Sequence, residues 1–151
     1  DRESLFYFNL REVPPKSGAS EARSVMQVAM QSRIKLFWRP KAITKKPGDQ
    51  SEMRMEITAT ATGLSVHNPT PYYITLAWLS KNAKTQLPGF DSLMIAPFAT
   101  ASTSPGDYHG NYYSVGYIDD YGALKKVDVT CAGKAPCQLS ERKGQNNAQA
   151  R

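Results

Sequence analysis

The chain has 151 residues, 40% of them hydrophobic and 21% charged, with a formal net charge of +6. That length allows one ordinary domain, or one domain and part of another. No stretch approaches ~18 consecutive apolar residues and no charged-then-apolar leader precedes Asp1, so the sequence offers neither a membrane-spanning helix nor a signal peptide and reads as mature or trimmed. The positive charge is confined to residues 1–46, with ten basic against four acidic groups, while the rest balances at nine and nine. The basic residues are dispersed through strand-like sequence, with no run of five and no RNA-recognition or zinc-finger pattern. This speaks against nucleic-acid binding and for a basic cleft that takes an anionic peptide end.

Ser4 to Val13 is apolar on both faces, with Phe6, Phe8 and Leu10 on one and Leu5 and Tyr7 on the other, and reads as a buried strand. Pro14-Pro15-Lys16-Ser17-Gly18 breaks it, and the chain returns along Ser24 to Pro40 as the second arm of a long hairpin. In that return stretch Met26, Val28, Met30, Ile34, Leu36 and Trp38 share one parity, while Gln27, Gln31, Arg33, Lys35 and Arg39 hold the other. The period is two, so a strand on the order of 50 Å is predicted, more than twice the usual length. From Ser24 to Ser32 it has neither charge nor proline, the usual guards of an edge strand. Such a strand is either central in a β-sandwich or open to pairing with another chain. Two strands alone are marginal in water, so the hairpin needs further cover.

Pro40 to Gln50 is polar and reads as a linker. Met53, Met55, Ile57, Ala59 and Ala61 then alternate with polar residues as a half-buried strand, and Gly63 turns the chain into Leu64 to His67. After the turn Asn68-Pro69-Thr70-Pro71, Tyr72 to Leu79 is apolar on both sides and reads as a central strand. A short strand lies within Asp91 to Phe98, and the Thr/Ser/Ala/Pro/Gly-rich stretch through Gly110 reads as loop. Tyr112 to Ile118 alternates again with Tyr113, Val115 and Tyr117 on one face. Asp119-Asp120-Tyr121-Gly122 is a turn, and Lys125 to Cys131 the return strand. No helix has a convincing apolar stripe, so the pattern predicts an all-β, antiparallel sandwich. The tail after Ser140 has nothing to bury and reads as disordered.

Catalytic signals are absent. His67 and His109 lie in or beside turns with no second histidine at metal spacing, so neither metal nor cofactor is expected. Asp107, Asp119 and Asp120 among Tyr108, Tyr112, Tyr113 and Tyr121 suggest a carbohydrate-binding or hydrolysing sandwich, but Asp in these contexts is turn chemistry and alternating Tyr is sheet packing. Cys131 and Cys137 are separated by five residues around a Gly/Pro turn, which disfavours a redox pair and favours a structural bridge pinning a terminal hairpin, and with it an oxidising compartment.

Asp-Arg-Glu-Ser-Leu-Phe-Tyr-Phe-Asn at 1–9 and Arg-Ile-Lys-Leu-Phe-Trp-Arg-Pro at 33–40 closely resemble the PapD-like periplasmic pilus chaperones. The likeness continues through His67-Asn68-Pro69-Thr70-Pro71-Tyr72-Tyr73, Met94-Ile95-Ala96-Pro97-Phe98 and the two cysteines, nearly the whole chain. The resemblance implies a non-enzymatic chaperone of pilin subunits, built from two immunoglobulin-like domains, acting in the periplasm and delivering to an outer-membrane usher. It implies that 1–43 is the last hairpin of an incomplete N-terminal domain, 44–140 the C-terminal immunoglobulin-like domain, and 141–151 a tail. Met26, Val28 and Met30 then correspond to the donor row that fills the open groove of a pilin, and Lys35 to the anchor of the pilin's C-terminal carboxylate. The short loop from Val13 to Ser24 resembles the branch that serves rod-like fimbriae. Strands that precede the Asp-Arg-Glu-Ser motif in the family, and a second anchoring arginine on the first of them, have no counterpart here. The uncovered hairpin makes strand-swapped self-association a further expectation.

Overall fold

A computed structural model describes residues 1–14, 28–133 and 135–142. Its ten strands form three sheets. The first is a two-stranded hairpin, β1 (Ser4–Arg11) against β2 (Gln31–Trp38), in register from Ser4↔Trp38 to Arg11↔Gln31. The other two face each other as an antiparallel sandwich. One is a three-stranded sheet of β3 (Glu56–Thr60), β4 (Gly63–His67) and β7 (Thr100–Thr103), in the order β3-β4-β7. The opposing sheet holds β5 (Ile74–Ser80), β6 (Leu93–Ile95), β8 (Tyr112–Ile118), β9 (Leu124–Thr130) and β10 (Gln138–Glu141) in the order β10-β9-β8-β5-β6. The fold is therefore all-β, as the alternation predicts.

The sandwich core follows from period two. Ile57, Leu64 and Val66 come from the smaller sheet and meet Ile74, Leu76, Tyr113, Val115, Tyr117, Val127 and Val129 of the larger, all buried. β5 lies between β8 and β6, as a strand apolar on both sides should. Its parity changes at a β-bulge between Leu76 and Trp78, so Leu79 rather than Trp78 faces the core. Trp78 sits on the outer face, where Lys126 stacks 3.9 Å from its ring. A Cβ on Gly116 would come within 2.6 Å of the Trp78 Cβ, which is why that cross-strand position carries glycine. The Cys131–Cys137 disulfide is formed and buried, and the Cys137 N–H donates to the Ile57 carbonyl, tying the end of the large sheet to β3.

Several expectations need correction. β2 is eight residues long, not seventeen: Val28 to Met30 lie outside the regular ladder, and 24–27 lie outside the described residues. The third strand begins at Glu56 rather than Met53, because Ser51–Arg54 close a 3-10 turn that draws Glu52 inward to a lysine partner. The stretch after Phe98 is not all loop. Phe98 takes a left-handed backbone (φ 58°) that redirects the chain from the large sheet to the small one, where Thr100–Thr103 pair with β4. Small side chains there give too faint an alternation to read. β1 is not buried in this chain, since Phe6, Phe8 and Leu10 are each more than half exposed. The short Val13–Ser24 loop and the tail beyond Arg142 fall outside the described residues, apart from 13–14.

Asn68 organises the turn that leads to the hairpin. It is fully buried; its amide donates to the carbonyls of Tyr72 (2.7 Å) and Ala96 (3.0 Å), and its oxygen accepts from the Thr70 N–H and hydroxyl. Alanine there would leave the Ala96 and Tyr72 carbonyls with only their longer partners, the Ala99 N–H (3.2 Å) and the Thr70 hydroxyl (3.4 Å), and would strand the Thr70 N–H. Asn68→Ala is expected to destabilise the fold by about 2–4 kcal/mol in urea titration, and a loss under about 1 kcal/mol would show that the turn does not need it.

Candidate functional site: the cleft at the hairpin root

The hairpin meets the sandwich largely through a chain of charged side chains. Glu3, just ahead of β1, is buried; its N–H donates to the Pro71 carbonyl (2.8 Å) and its carboxylate accepts from the Tyr73 N–H (2.7 Å). Its other oxygen accepts from Arg39 Nε at 2.7 Å. Arg39 follows β2 directly, and its Nη1 and Nη2 donate to the two oxygens of Asp120 at 2.8 and 3.0 Å. One planar guanidinium therefore bridges a carboxylate at each end, the geometry arginine alone provides. Lys45 extends the chain of charge, donating to Glu52 (2.6 Å) and Asp120 (3.1 Å). Arg39 and Lys45 both lie over the Tyr72 ring, at 4.9 and 4.6 Å, and the Tyr72 hydroxyl donates to the Ile43 carbonyl. Phe37 packs on Tyr73 with ring centroids 5.5 Å apart.

These contacts shape a cleft of about 470 Å³. Lys35 and Phe37 of β2 form one wall, Tyr73 with Thr75 and Ile118 of the large sheet the other, and Asp119 also lines the cleft. Lys35 pairs in register with Tyr7 and stands on the face opposite Ile34 and Leu36. Arg39 is committed to two carboxylates, whereas Lys35 makes no ion pair or hydrogen bond among the described residues. A cation held in a cleft without a counter-ion is suited to a carboxylate that arrives from outside. A larger groove, about 570 Å³, lies on the far side of Asp120 between the linker and β8–β10 and carries charges of both signs.

The other face of the hairpin is apolar. Phe6, Phe8, Leu10, Ile34, Leu36 and Trp38 are each more than half exposed. The patch runs on to Met30, whose carbonyl accepts from the Glu12 N–H, and to the exposed Val28. Met26 lies outside the described residues. So Lys35, Val28 and Met30 all belong to the hairpin, with the lysine of one parity and the apolar residues of the other. Among the described residues no His/Cys/Asp/Glu group has the geometry of a metal site. Most of the tyrosines are occupied in packing: Tyr108 donates to the Tyr112 carbonyl, Tyr112 to Asp128, and Tyr113 and Tyr117 are buried, while Tyr121 stands exposed in the β8–β9 turn. Burial, with Glu52, Glu141 and Asp119 nearby, pushes the Tyr117 hydroxyl up to about 12.

Sequence reasoning points to Lys35 but misses Glu3, Arg39, Lys45, Glu52 and Asp120. Asp120 reads as a turn residue, and nothing local says that its partner is 81 positions away. The available signal is Arg39 itself, a cation between an aromatic strand and a proline.

Comparison with known proteins identifies the class. The profile of the pili assembly chaperone PapD, C-terminal domain, matches residues 50–128, and that of the PapD N-terminal domain of pili and flagellar-assembly chaperones matches residues 1–44. The chain belongs to this chaperone family, which is not a family of enzymes. It is 46% identical over 143 residues to the uncharacterized fimbrial chaperone YbgP of Escherichia coli, covering 95% of this chain and 59% of that protein. It is 38% identical over 144 residues to the chaperone protein PapD of Escherichia coli, covering 95% and 58%. Among solved structures, the Salmonella enterica SafA pilin in complex with the SafB chaperone superposes with a TM-score of 0.70 at 27% identity, over 86% of this chain and 60% of that one. The Escherichia coli chaperone DraB gives 0.64 at 26% identity, over 94% and 60%. These immunoglobulin-like chaperones fix the fold class. The chain spans somewhat under two thirds of the length of these relatives.

The Arg39 hydrogen bonds, with Lys45 adding to them, hold the Asp120 carboxyl below its ordinary 3.8 against the opposing effect of burial. A depressed folded value means that Asp120 contributes stability above pH ~3.8 and loses it as pH falls through and below that value. Asp120→Asn should therefore lower the melting temperature at pH 7, and the gap from wild type should close as the pH falls below about 3.8. A gap independent of pH would show that the ion pair is not what Asp120 supplies.

Proposed function

We propose that the chain is the pilin-grasping part of a periplasmic pilus chaperone, which lends its hairpin strand to a pilin subunit and passes that pilin to an outer-membrane usher. In this reading residues 1–43 are the closing hairpin of an N-terminal immunoglobulin-like domain and 44–140 are the C-terminal one. The single observation that carries it is the combination in one strand of an unpaired cleft lysine, Lys35, and an exposed apolar row of opposite parity. The formed disulfide supports the compartment, and the likeness to SafB, a chaperone solved in complex with a pilin, supports the partner class. Met26, Val28 and Met30 fill the pilin groove, each worth about 1.5–3 kcal/mol of burial before ordering costs. Lys35 takes the pilin's terminal carboxylate and so sets register, since a one-residue slip would present the wrong face. Without a pilin bound, the same apolar face favours self-association through swapped or paired hairpins.

The test of the anchor compares peptides that copy a pilin's C-terminus, with free and amidated ends, on the wild type, Lys35→Ala and Lys35→Met. A charge-assisted hydrogen bond corresponds to about 10–100-fold in affinity, so amidation should weaken wild-type binding by that factor and leave the variants nearly unaffected. An equal loss in all three proteins would remove Lys35 from the mechanism. For the donor row, Val28→Asp places an unpaired carboxylate in an apolar groove. It should abolish pilin capture while the sandwich melts unchanged, and capture at the wild-type level would exclude the strand.

A further inference from the structure

The cleft holds two opposite charges that the charge chain at the hairpin root does not use. Glu3, Arg39, Lys45, Glu52 and Asp120 are all paired with one another. Lys35, on one wall, is the cation left over among the described residues. Asp119 is the anion left over: it makes no ion pair among them, and only its Oδ1 is engaged, accepting the N–H groups of Tyr121 (3.0 Å) and Ala123 (2.8 Å). Those two bonds, with the Asp119 N–H on the Ala123 carbonyl, hold the side chain in the β8–β9 turn while its second oxygen carries no bond among the described residues. The same cleft is lined by Phe37 and Tyr73, which pack on each other and offer an aromatic surface for the apolar body of a side chain.

We propose that Asp119 is a specificity-determining residue that reads the side chain of the last residue bound in this cleft. It accepts a hydrogen bond from a donor-bearing side chain and rejects an acidic one. The proposal rests on the reading of Lys35 as the carboxylate anchor and adds to it the chemical class of the ligand: a peptide end with a free carboxylate and a terminal side chain such as lysine or glutamine. Once the peptide carboxylate neutralises Lys35, no cation among the described residues of the cleft remains to compensate a second negative charge, because Arg39 already serves two carboxylates. A terminal glutamate then meets Asp119 as a like charge in a partly enclosed space, where repulsion suppresses the wrong partner more strongly than attraction rewards the right one.

The experiment titrates the chain with three peptides that differ only in the last residue, lysine, glutamine or glutamate, each with a free and an amidated terminus. Binding of the free-acid forms is expected in the order lysine, glutamine, glutamate, with about tenfold between glutamine and glutamate at low salt and much less at about 500 mM. Asp119→Asn keeps the Oδ1 acceptor that the turn needs and removes the charge, so it should melt like the wild type and shrink the glutamine–glutamate ratio to about threefold or less. Amidation should still weaken binding in that variant. Equal affinity for glutamine and glutamate in the wild type, or an unchanged ratio in Asp119→Asn, overturns the proposal while amidation sensitivity leaves the anchor standing. If amidation has no effect on any peptide, the anchor fails and this proposal falls with it. The salt dependence of the wild-type ratio provides a second reading that requires no variant.

Discussion

Arg39 is the side chain on which the rest of the arrangement depends. It lies where the hairpin ends, and its two donor edges bind Glu3 on the hairpin side and Asp120 on the sandwich side. Neither contact would fix an orientation by itself; together they define a plane, and Lys45, bonded to Asp120 and Glu52, locks the linker against it. Paired charges of this kind add little net stability, because desolvation offsets attraction, but they fix geometry well. Glu3 and Glu52 are the costliest members, since both are buried, and Glu3 is the better satisfied, with a backbone N–H and the guanidinium on its two oxygens.

That network accounts for the character of the cleft. By absorbing Arg39 and Lys45, it leaves Lys35 as the cation of the cleft without a counter-ion among the described residues. By setting the hairpin root on Tyr73 and Pro71, it places Lys35 across from the large sheet. Strand geometry does the rest: a residue of odd parity points to the cleft, and its even neighbours point to the exposed apolar face. In the proposed function, one strand would thus offer charge to a partner's end and apolar surface to a partner's side chains.

The sandwich is legible in the sequence wherever one face is buried and the strand is regular. Tyr113, Val115 and Tyr117 announce β8, and Ile57 its partner sheet, because alternation carries the information. Legibility fails at the bulge after Leu76, which changes parity without a proline or glycine to mark it, and at Thr100–Thr103, whose small side chains hide the period. In the candidate site, a motif points to Lys35, while the ion pairs have none. Asp119 and Asp120 are adjacent and look alike in sequence; one does turn chemistry and the other anchors Arg39 across 81 residues. Pairings at that separation follow from the fold and leave no periodic trace. The exposure of β1 escapes sequence reasoning for a related reason: an apolar strand reports that it needs cover, not where the cover comes from.

The central claim, that β2 receives a partner strand in a register set at Lys35, is tested most directly by amide hydrogen exchange along residues 28–38, with and without a peptide copying the C-terminal strand of a pilin. Each arm of the hairpin has one open edge among the described residues, so an added strand must protect amides that are otherwise free to exchange. New protection is expected on alternate residues from beside Lys35 in β2 through Met30 and Val28 ahead of it. Protection confined to the sandwich, or none along β2 at saturating peptide, would contradict it.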